Sequence, residues 1–133
     1  MAEPKTLSVI DIPEHCGNAP RKAVVRDFLI AVYERRDNAV VEMLSDTLHW
    51  EIFGSTQLTS KQAVREWLAQ QPSIIELKLH TVITHGTECA ADGVIIAAAG
   101  DRKVFNHVLR FSGHTKTAKI KEIRSYVIEH EDG

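Results

Sequence analysis

The spacing of apolar residues changes halfway along the chain, and this change constrains the fold more than any other feature of the sequence. Apart from one β-prone segment, apolar positions between about residues 19 and 70 recur every three or four residues, as in helices. From residue 75 onward the sequence is rich in Val, Ile and Thr, and apolar and polar residues alternate, as in strands. The pattern predicts an α+β domain in which three helices precede a meander of long antiparallel strands.

The first two helices are predicted from their start signals and apolar stripes. Asn18 suits an N-cap and Pro20 suits the first helical turn, which predicts a helix over about 19–36. A short second helix is predicted over 40–44, ending near Ser45.

A strand and a third helix complete the first half. The β-prone segment 48–53 stops at Gly54. Thr59, with Gln62 three residues later, has the spacing of a capping box and opens a helix that ends at Pro72.

Four strands are predicted in the second half, over residues 75–83, 88–99, 103–112 and 119–130. Asp92-Gly93 interrupts the second of them and marks either a hairpin turn or a bulge. We favour a bulge in one long strand.

The first of these strands has one apolar and one polar face. The apolar face is predicted to hold Ile75, Leu77, Leu79, Thr81 and Ile83. The other face holds Glu76, Lys78 and His80, and we assign His80 to the outer or dimer-forming side of the sheet.

Residues 1–17 are treated as an N-terminal arm and 18–133 as a single domain, because 133 residues lie within the usual size of one domain. Leu7, Val9 and Ile12 alternate in the arm. They are compatible with a short edge strand, an arm lying on the domain or a loose terminus.

Composition and charge exclude several classes of function. Sixteen Lys and Arg against eighteen Asp and Glu leave a net charge of −2, and the basic residues are scattered, so nucleic acid is not expected as a partner. No apolar run approaches the roughly 20 residues of a membrane span. No signal sequence opens the chain, so a cytoplasmic protein is expected.

Cysteines and histidines do not form a metal or disulfide pattern. Cys16 and Cys89 are the two cysteines, and without a CxxC spacing both are interpreted as free thiols. None of the seven histidines has the HExxH spacing, so neither a metal nor another cofactor is expected.

The order of elements resembles the SnoaL-like branch of the nuclear transport factor 2-like superfamily. The resemblance covers roughly residues 19–130 and rests on a strand opening at Trp50 and closing at Gly54, a helix over 60–70, and a terminal strand that includes Tyr126. Segments 83–86, 119–123 and 125–129 are also similar to a smaller group of uncharacterised bacterial proteins of that superfamily.

The resemblance implies a cone-shaped, cystatin-like α+β roll. N-terminal helices would pack in the concave face of a strongly curved antiparallel sheet and leave one apolar pocket, while the convex face commonly forms a homodimer. The superfamily includes isomerases, cyclases, dehydratases, hydrolases and binding proteins, so the fold alone does not define the function.

The strand over 103–112 carries the main candidate site residue. His107 falls among Phe105, Leu109 and Phe111 on an otherwise apolar face. If that face lines the pocket, the imidazole could transfer a proton or bind a ligand carbonyl; otherwise it is a core histidine bonded to the backbone. The bacterial group implies an acidic residue at this position, so the group's carboxylate role does not carry over.

Tyr126 matches the superfamily's terminal-strand tyrosine and is the second catalytic candidate, although it could instead cap the open end of the cone. The expected ligand-binding residues are Trp50, Trp67, Phe105, Leu109 and Phe28, with core packing as the alternative for both tryptophans. Asp46 is interpreted as a turn or helix-end residue and Glu51 as solvent-facing.

Three functions follow as hypotheses. The first is binding of a small apolar or carbonyl-bearing molecule in the pocket. The second is a proton-transfer enzyme of the isomerase, cyclase or dehydratase type that uses His107 and Tyr126. The third is a dimeric protein-interaction scaffold with a vestigial pocket.

Overall fold

A computed structural model describes residues 8–11, 20–115 and 117–129. The helices are α1 (Pro20–Tyr33), α2 (Asp37–Met43) and α3 (Lys61–Ala69). The strands are β1 (Ser8–Asp11), β2 (Leu44–Ile52), β3 (Thr56–Leu58), β4 (Ile74–His85), β5 (Glu88–Ala97), β6 (Arg102–Phe111) and β7 (Ile120–Glu129).

All seven described strands form one sheet, in the order β1-β4-β5-β6-β7-β2-β3. Strands β4 to β7 are an antiparallel meander, as predicted, whereas β1 pairs with β4 and β2 pairs with β7 in parallel. The sheet is curved and the helices pack on one side of it, which confirms the α+β prediction. We call the helix-covered face the inner face and the opposite one the outer face.

The core lies between the inner face and the apolar stripe of α1. Helix α1 buries Val25, Phe28, Leu29, Ala31 and Val32, whose spacing is that of one helix face. In the sheet, this core includes the fully buried side chains of Leu77, Phe105, Leu109, Ile120 and Ile123.

A bulge in β4 changes which side chains face the core. Leu79 pairs with Gly93 and Thr81 pairs with Asp92, so His80 is the extra residue. Strand β5 is therefore continuous, as favoured from the sequence, but the bulge lies on its partner strand.

The bulge corrects the predicted inner face of β4. Because one residue is inserted, the alternation shifts by one position, and Val82 packs against the core. Thr81 and Ile83, which were predicted to share a face with Leu77 and Leu79, are exposed instead.

Gly93 permits β4 and β5 to approach each other closely opposite this bulge. A Cβ atom at this position would overlap the backbone carbonyl oxygen of Lys78 and lie 3.0 Å from the ring of Phe105. Only glycine lets β4, β5 and the Phe105 ring come this close.

Two predicted boundaries in the first half are wrong. Helix α2 ends at Met43 and β2 begins at the next residue, so no turn separates them near Ser45. The N-cap of α3 is Ser60 rather than Thr59, and its hydroxyl oxygen accepts a 3.0 Å hydrogen bond from the Ala63 N–H. Alanine at the third helical position cannot complete the predicted capping box.

The described part of the N-terminal arm is an edge strand. Ser8–Asp11 pairs with β4, which is one of the three arrangements considered for this segment. Leu7, Ile12, Cys16 and Asn18 lie outside the described residues. Among the helices of the described ranges, none is long and apolar enough to cross a membrane.

Candidate functional site

A cavity of about 260 Å³ lies between the C-terminal ends of α1 and α3 and the inner face of the sheet. Much of its wall is apolar and is formed by Val32, Ile52, Trp67, Ile74, Ile95 and Val127. Tyr33 and His107 also line it and add polar groups to this wall.

His107 lies on the inner face of β6, directly opposite Ser125 of β7, and only 3% of its surface is exposed. Its Nδ1 atom is 2.7 Å from the Ser125 hydroxyl oxygen. Its Nε2 atom is 2.7 Å from the hydroxyl oxygen of Tyr33, at the end of α1. Both ring nitrogens therefore have side-chain partners rather than the backbone partner considered from the sequence.

Trp50 extends this arrangement into β2. Its indole Nε1–H donates a 2.8 Å hydrogen bond to the Ser125 hydroxyl oxygen. Trp50, Ser125, His107 and Tyr33 thus form one hydrogen-bonded series, which we call the inner chain, linking β2, β7, β6 and α1. Phe105 covers one side of the inner chain. Its ring stacks on the His107 ring at a centroid distance of 5.0 Å and lies 5.4 Å from the centroid of the Tyr33 ring.

Burial keeps both titratable members of the inner chain neutral. It lowers the pKa of His107 to about 3, because the imidazolium would lose its hydration. It raises the pKa of the Tyr33 hydroxyl above its ordinary value for the corresponding reason. Near neutral pH these two residues therefore offer hydrogen bonds rather than charge.

The end of α1 holds Tyr33 in place. Arg35 adopts a left-handed conformation with φ 58°, the Arg35 N–H bonds the Val32 carbonyl and the Arg36 N–H bonds the Ala31 carbonyl, which is a Schellman motif. The guanidinium of Arg35 then donates to the Gln71 carbonyl oxygen at 3.0 Å and to the Ser73 hydroxyl at 3.1 Å. Arg35 thereby attaches the end of α1 to the segment between α3 and β4.

Charged side chains also line the cavity, with both signs represented. Arg35 and Lys103 contribute positive charge, and Asp101 and Glu129 contribute negative charge. Lys103 and Glu129 are opposite each other on β6 and β7. Two charges of each sign give the cavity no net preference for anions or cations.

The structure corrects the expectation that Tyr126 shares a cavity with His107. Tyr126 pairs with Asn106, one position along from the His107–Ser125 pair, and alternation therefore turns its side chain to the outer face. There it stacks on Phe53 at 4.6 Å and is 37% exposed.

Of the five expected ligand-binding residues, the structure places only Trp67 on the cavity wall. Trp50, Phe28, Phe105 and Leu109 are core residues, because α1 fills that part of the inner face. The Trp50 ring lies between the rings of Phe28 and Trp67, at centroid distances of 5.9 Å and 5.2 Å.

Two members of the inner chain, Tyr33 and Ser125, were not identified from the sequence. Ser125 could have been found, because it is a polar residue in phase with Ile123 on β7, as His107 is with Leu109 on β6. Tyr33 follows the last buried residue of the α1 stripe and has no distinguishing local signal.

Other candidates lie away from the cavity. Asp46 is an exposed residue of β2 that forms a 3.2 Å ion pair with Lys61, rather than a turn or helix-end residue. Cys89 is a buried free thiol. Across residues 8–11, 20–115 and 117–129, no group of three or more His, Cys, Asp or Glu side chains could hold a metal ion.

The comparisons with known proteins agree on the fold. No protein-family model matches the sequence, and no curated protein matches it significantly. A candidate ketosteroid isomerase from Kribbella flavida is similar in structure, with a TM-score of 0.69, 13% identity, and coverage of 86% of this chain and 82% of that one. A candidate isomerase of the SnoaL-like family from Agrobacterium tumefaciens has a TM-score of 0.65, 14% identity, and coverage of 82% and 98%.

A third similar structure is SalBIII, an epoxide hydrolase/cyclase-like enzyme with a role in pyran ring formation in the polyether salinomycin. It has a TM-score of 0.63, 20% identity, and coverage of 80% of this chain and 89% of that one. Proteins of unknown function are similar as well, such as one from Burkholderia xenovorans. The chain has the nuclear transport factor 2-like fold, and proteins that share this fold include isomerase-like and cyclase-like enzymes.

Proposed function

We propose that this protein binds a small, largely apolar molecule in the cavity between α1, α3 and the inner face of the sheet. The observation that carries the proposal is the wall itself, where apolar side chains surround the Tyr33–His107 pair. Ligand sites combine apolar surface with a few oriented polar groups in this way.

The size of the cavity limits the ligand. Its volume of about 260 Å³ lies just below the roughly 300–1,000 Å³ of sites for drug-sized molecules. A ligand of one or two small rings is therefore the expected size.

Binding is favoured over proton transfer by the state of the histidine. Both nitrogens of His107 are hydrogen-bonded, and burial lowers its pKa to about 3, far from the range that suits an acid or base at neutral pH. The partner expected for it in catalysis, Tyr126, lies on the outer face. The carboxylates of the cavity, Asp101 and Glu129, belong to solvent-exposed residues.

Titration with indane, a hydrocarbon of two small fused rings, tests the proposal. The indole N–H resonance of Trp67 in ¹H–¹⁵N spectra reports occupancy, because Trp67 lies on the cavity wall. Val127→Phe adds bulk to the cavity wall, and Ile128→Phe introduces the same ring at the next position, on the outer face. We expect saturable binding that is weakened at least roughly tenfold by Val127→Phe.

The matched variant Ile128→Phe should bind indane as the unmodified protein does. The proposal fails if the Trp67 resonance does not respond to indane, or if the two variants weaken binding equally.

The outer face supports a second proposal, the homodimer expected from the sequence. Four exposed apolar side chains surround one shallow depression on this face: Ile83, Val104, Tyr126 and Ile128. Exposed apolar surface of this kind is frequent at sites of protein association.

A further inference from the structure

We propose that Trp50 and Ser125 orient the inner chain so that the Tyr33 hydroxyl directs its hydrogen into the cavity. The site would then select ligands that present an acceptor oxygen, such as a ketone carbonyl. This selectivity depends on the proposed binding function, whereas the orientation of the inner chain does not.

The direction begins at Trp50, which can only donate. An indole nitrogen carries one hydrogen and has no lone pair available for a hydrogen bond. The Ser125 hydroxyl, 2.8 Å away, must therefore accept from Trp50. This leaves Ser125 with a single hydrogen to direct and with His107 as its other partner.

Two arrangements satisfy the distances between Ser125, His107 and Tyr33. In the first, Ser125 donates to Nδ1, the imidazole carries its hydrogen on Nε2, and Nε2–H donates to the Tyr33 oxygen. In the second, Nδ1–H donates to Ser125, and the Tyr33 hydroxyl donates to Nε2. The arrangements differ in which hydroxyl hydrogen lacks a partner within the protein.

The surroundings of the two hydroxyl groups decide between these arrangements. In the second, the unpaired hydrogen belongs to Ser125, which is 2% exposed and has only Trp50 and His107 as side-chain partners among the described residues. In the first, it belongs to Tyr33, a half-buried residue that lines the cavity and can bond water or a ligand there. An unpaired donor sealed in the core is costly, whereas a donor on the cavity wall can be paired by water or a ligand, so the first arrangement is favoured.

The hydrogen-bonding capacity of the site follows from this direction. The Tyr33 oxygen already accepts from His107, and its hydrogen points away from the inner chain. A ligand carbonyl oxygen can accept that hydrogen. The reverse arrangement would instead leave Tyr33 with only a lone pair, which would favour an alcohol or amine as donor.

The tautomer of His107 tests the direction without any ligand. In ¹⁵N spectra of the full chain near pH 7, we expect Nε2 in the protonated chemical-shift range and Nδ1 in the unprotonated range. Ser125→Ala removes the donor to Nδ1 and should change the chemical shift of the unprotonated Nδ1, because that nitrogen loses its hydrogen bond. The reverse pattern in the unmodified protein, or a Ser125→Ala spectrum identical to it, overturns the proposal.

Paired probes test the selectivity. Indane and 1-indanone differ by one carbonyl oxygen, so the ratio of their dissociation constants isolates the hydrogen bond. We expect 1-indanone to bind more tightly than indane in the unmodified protein, and Tyr33→Phe to reduce that advantage roughly three- to tenfold. Tyr126→Phe removes the same hydroxyl from the outer face and should leave the ratio unchanged.

The two proposals fail in different ways. If neither probe binds, the binding function is wrong, while the tautomer can still be as expected. If both probes bind equally and Tyr33→Phe has no effect on their ratio, the cavity binds ligands but Tyr33 does not select them.

Discussion

The hydroxyl oxygen of Tyr33 lies 2.7 Å from Nε2 of His107, although 74 positions separate the two residues along the chain. Helix α1 crosses the inner face of the sheet and brings Tyr33 to β6, where Phe105 packs against both rings. The two side chains therefore pack against the core and also form part of the cavity wall. Its burial has consequences for stability as well as for binding.

The stability of the folded protein should decrease as the pH is lowered, because of His107. Its folded pKa is about 3 and its ordinary value is 6.5, so below pH 6.5 the unfolded chain takes up a proton that the folded chain does not. The stabilisation is complete above about pH 6.5 and decreases as the pH falls toward 3. From pH 7 to pH 5 this group should cost about 2 kcal/mol.

Urea denaturation at pH 7, 6 and 5 measures this effect. His107→Gln should be less stable at pH 7 but should lose less stability on acidification. An equal pH slope in the two proteins would contradict a neutral, buried His107.

Trp50 and Ser125 should be energetically coupled. Ser125→Ala leaves the Trp50 N–H and His107 Nδ1 without their partner, and each buried unpaired group costs roughly 1–3 kcal/mol. Trp50→Phe removes the stranded N–H, so the double variant should be less destabilised than the sum of the single variants.

Chemical denaturation of the four proteins of this cycle measures the coupling. Ser55→Ala, a substitution at an exposed serine, is the control and should change stability by less than about 0.5 kcal/mol. Strict additivity of Trp50→Phe and Ser125→Ala would show that the two side chains do not interact.

Gly93→Ala should be strongly destabilising, because the added methyl group would overlap the Lys78 carbonyl oxygen and press on the Phe105 ring. Overpacking against backbone that cannot move away costs at least about 2 kcal/mol. Gly113→Ala is a suitable control, since its Cβ would meet nothing within 4 Å. Thermal or urea unfolding of the two variants measures the difference, and equal stabilities would contradict the close approach of β4 and β5.

The outer face should mediate self-association. Sedimentation at micromolar concentration is expected to show a dimer, and Ile128→Lys should shift it toward monomer by placing charge at a side chain that is 67% exposed. Ala69→Lys adds the same charge at an exposed position of α3, on the opposite side of the sheet, and serves as a control. A monomeric unmodified protein would exclude the dimer.

Alternating and helical patterns were sufficient to predict the α+β class, the meander and the inward orientation of His107. These features depend on local periodicity, because burying one face of a strand or helix decides which residues point inward. A β-bulge, in which one strand has an extra residue relative to its partner, has no such local signal in the sequence. The bulge at His80 reverses the predicted orientation of Thr81 and Ile83 because it depends on how β4 pairs with β5.

The sequence by itself determined the periodicities, and with them the candidate His107 on an apolar face. Only the tertiary structure decided the partners of that histidine, because Tyr33, Trp50 and Ser125 come from three other elements and meet through the packing of α1, β2 and β7 against β6. It also decided that Tyr126 faces outward, since a single position of register relative to Ser125 turns a side chain to the opposite face of the sheet.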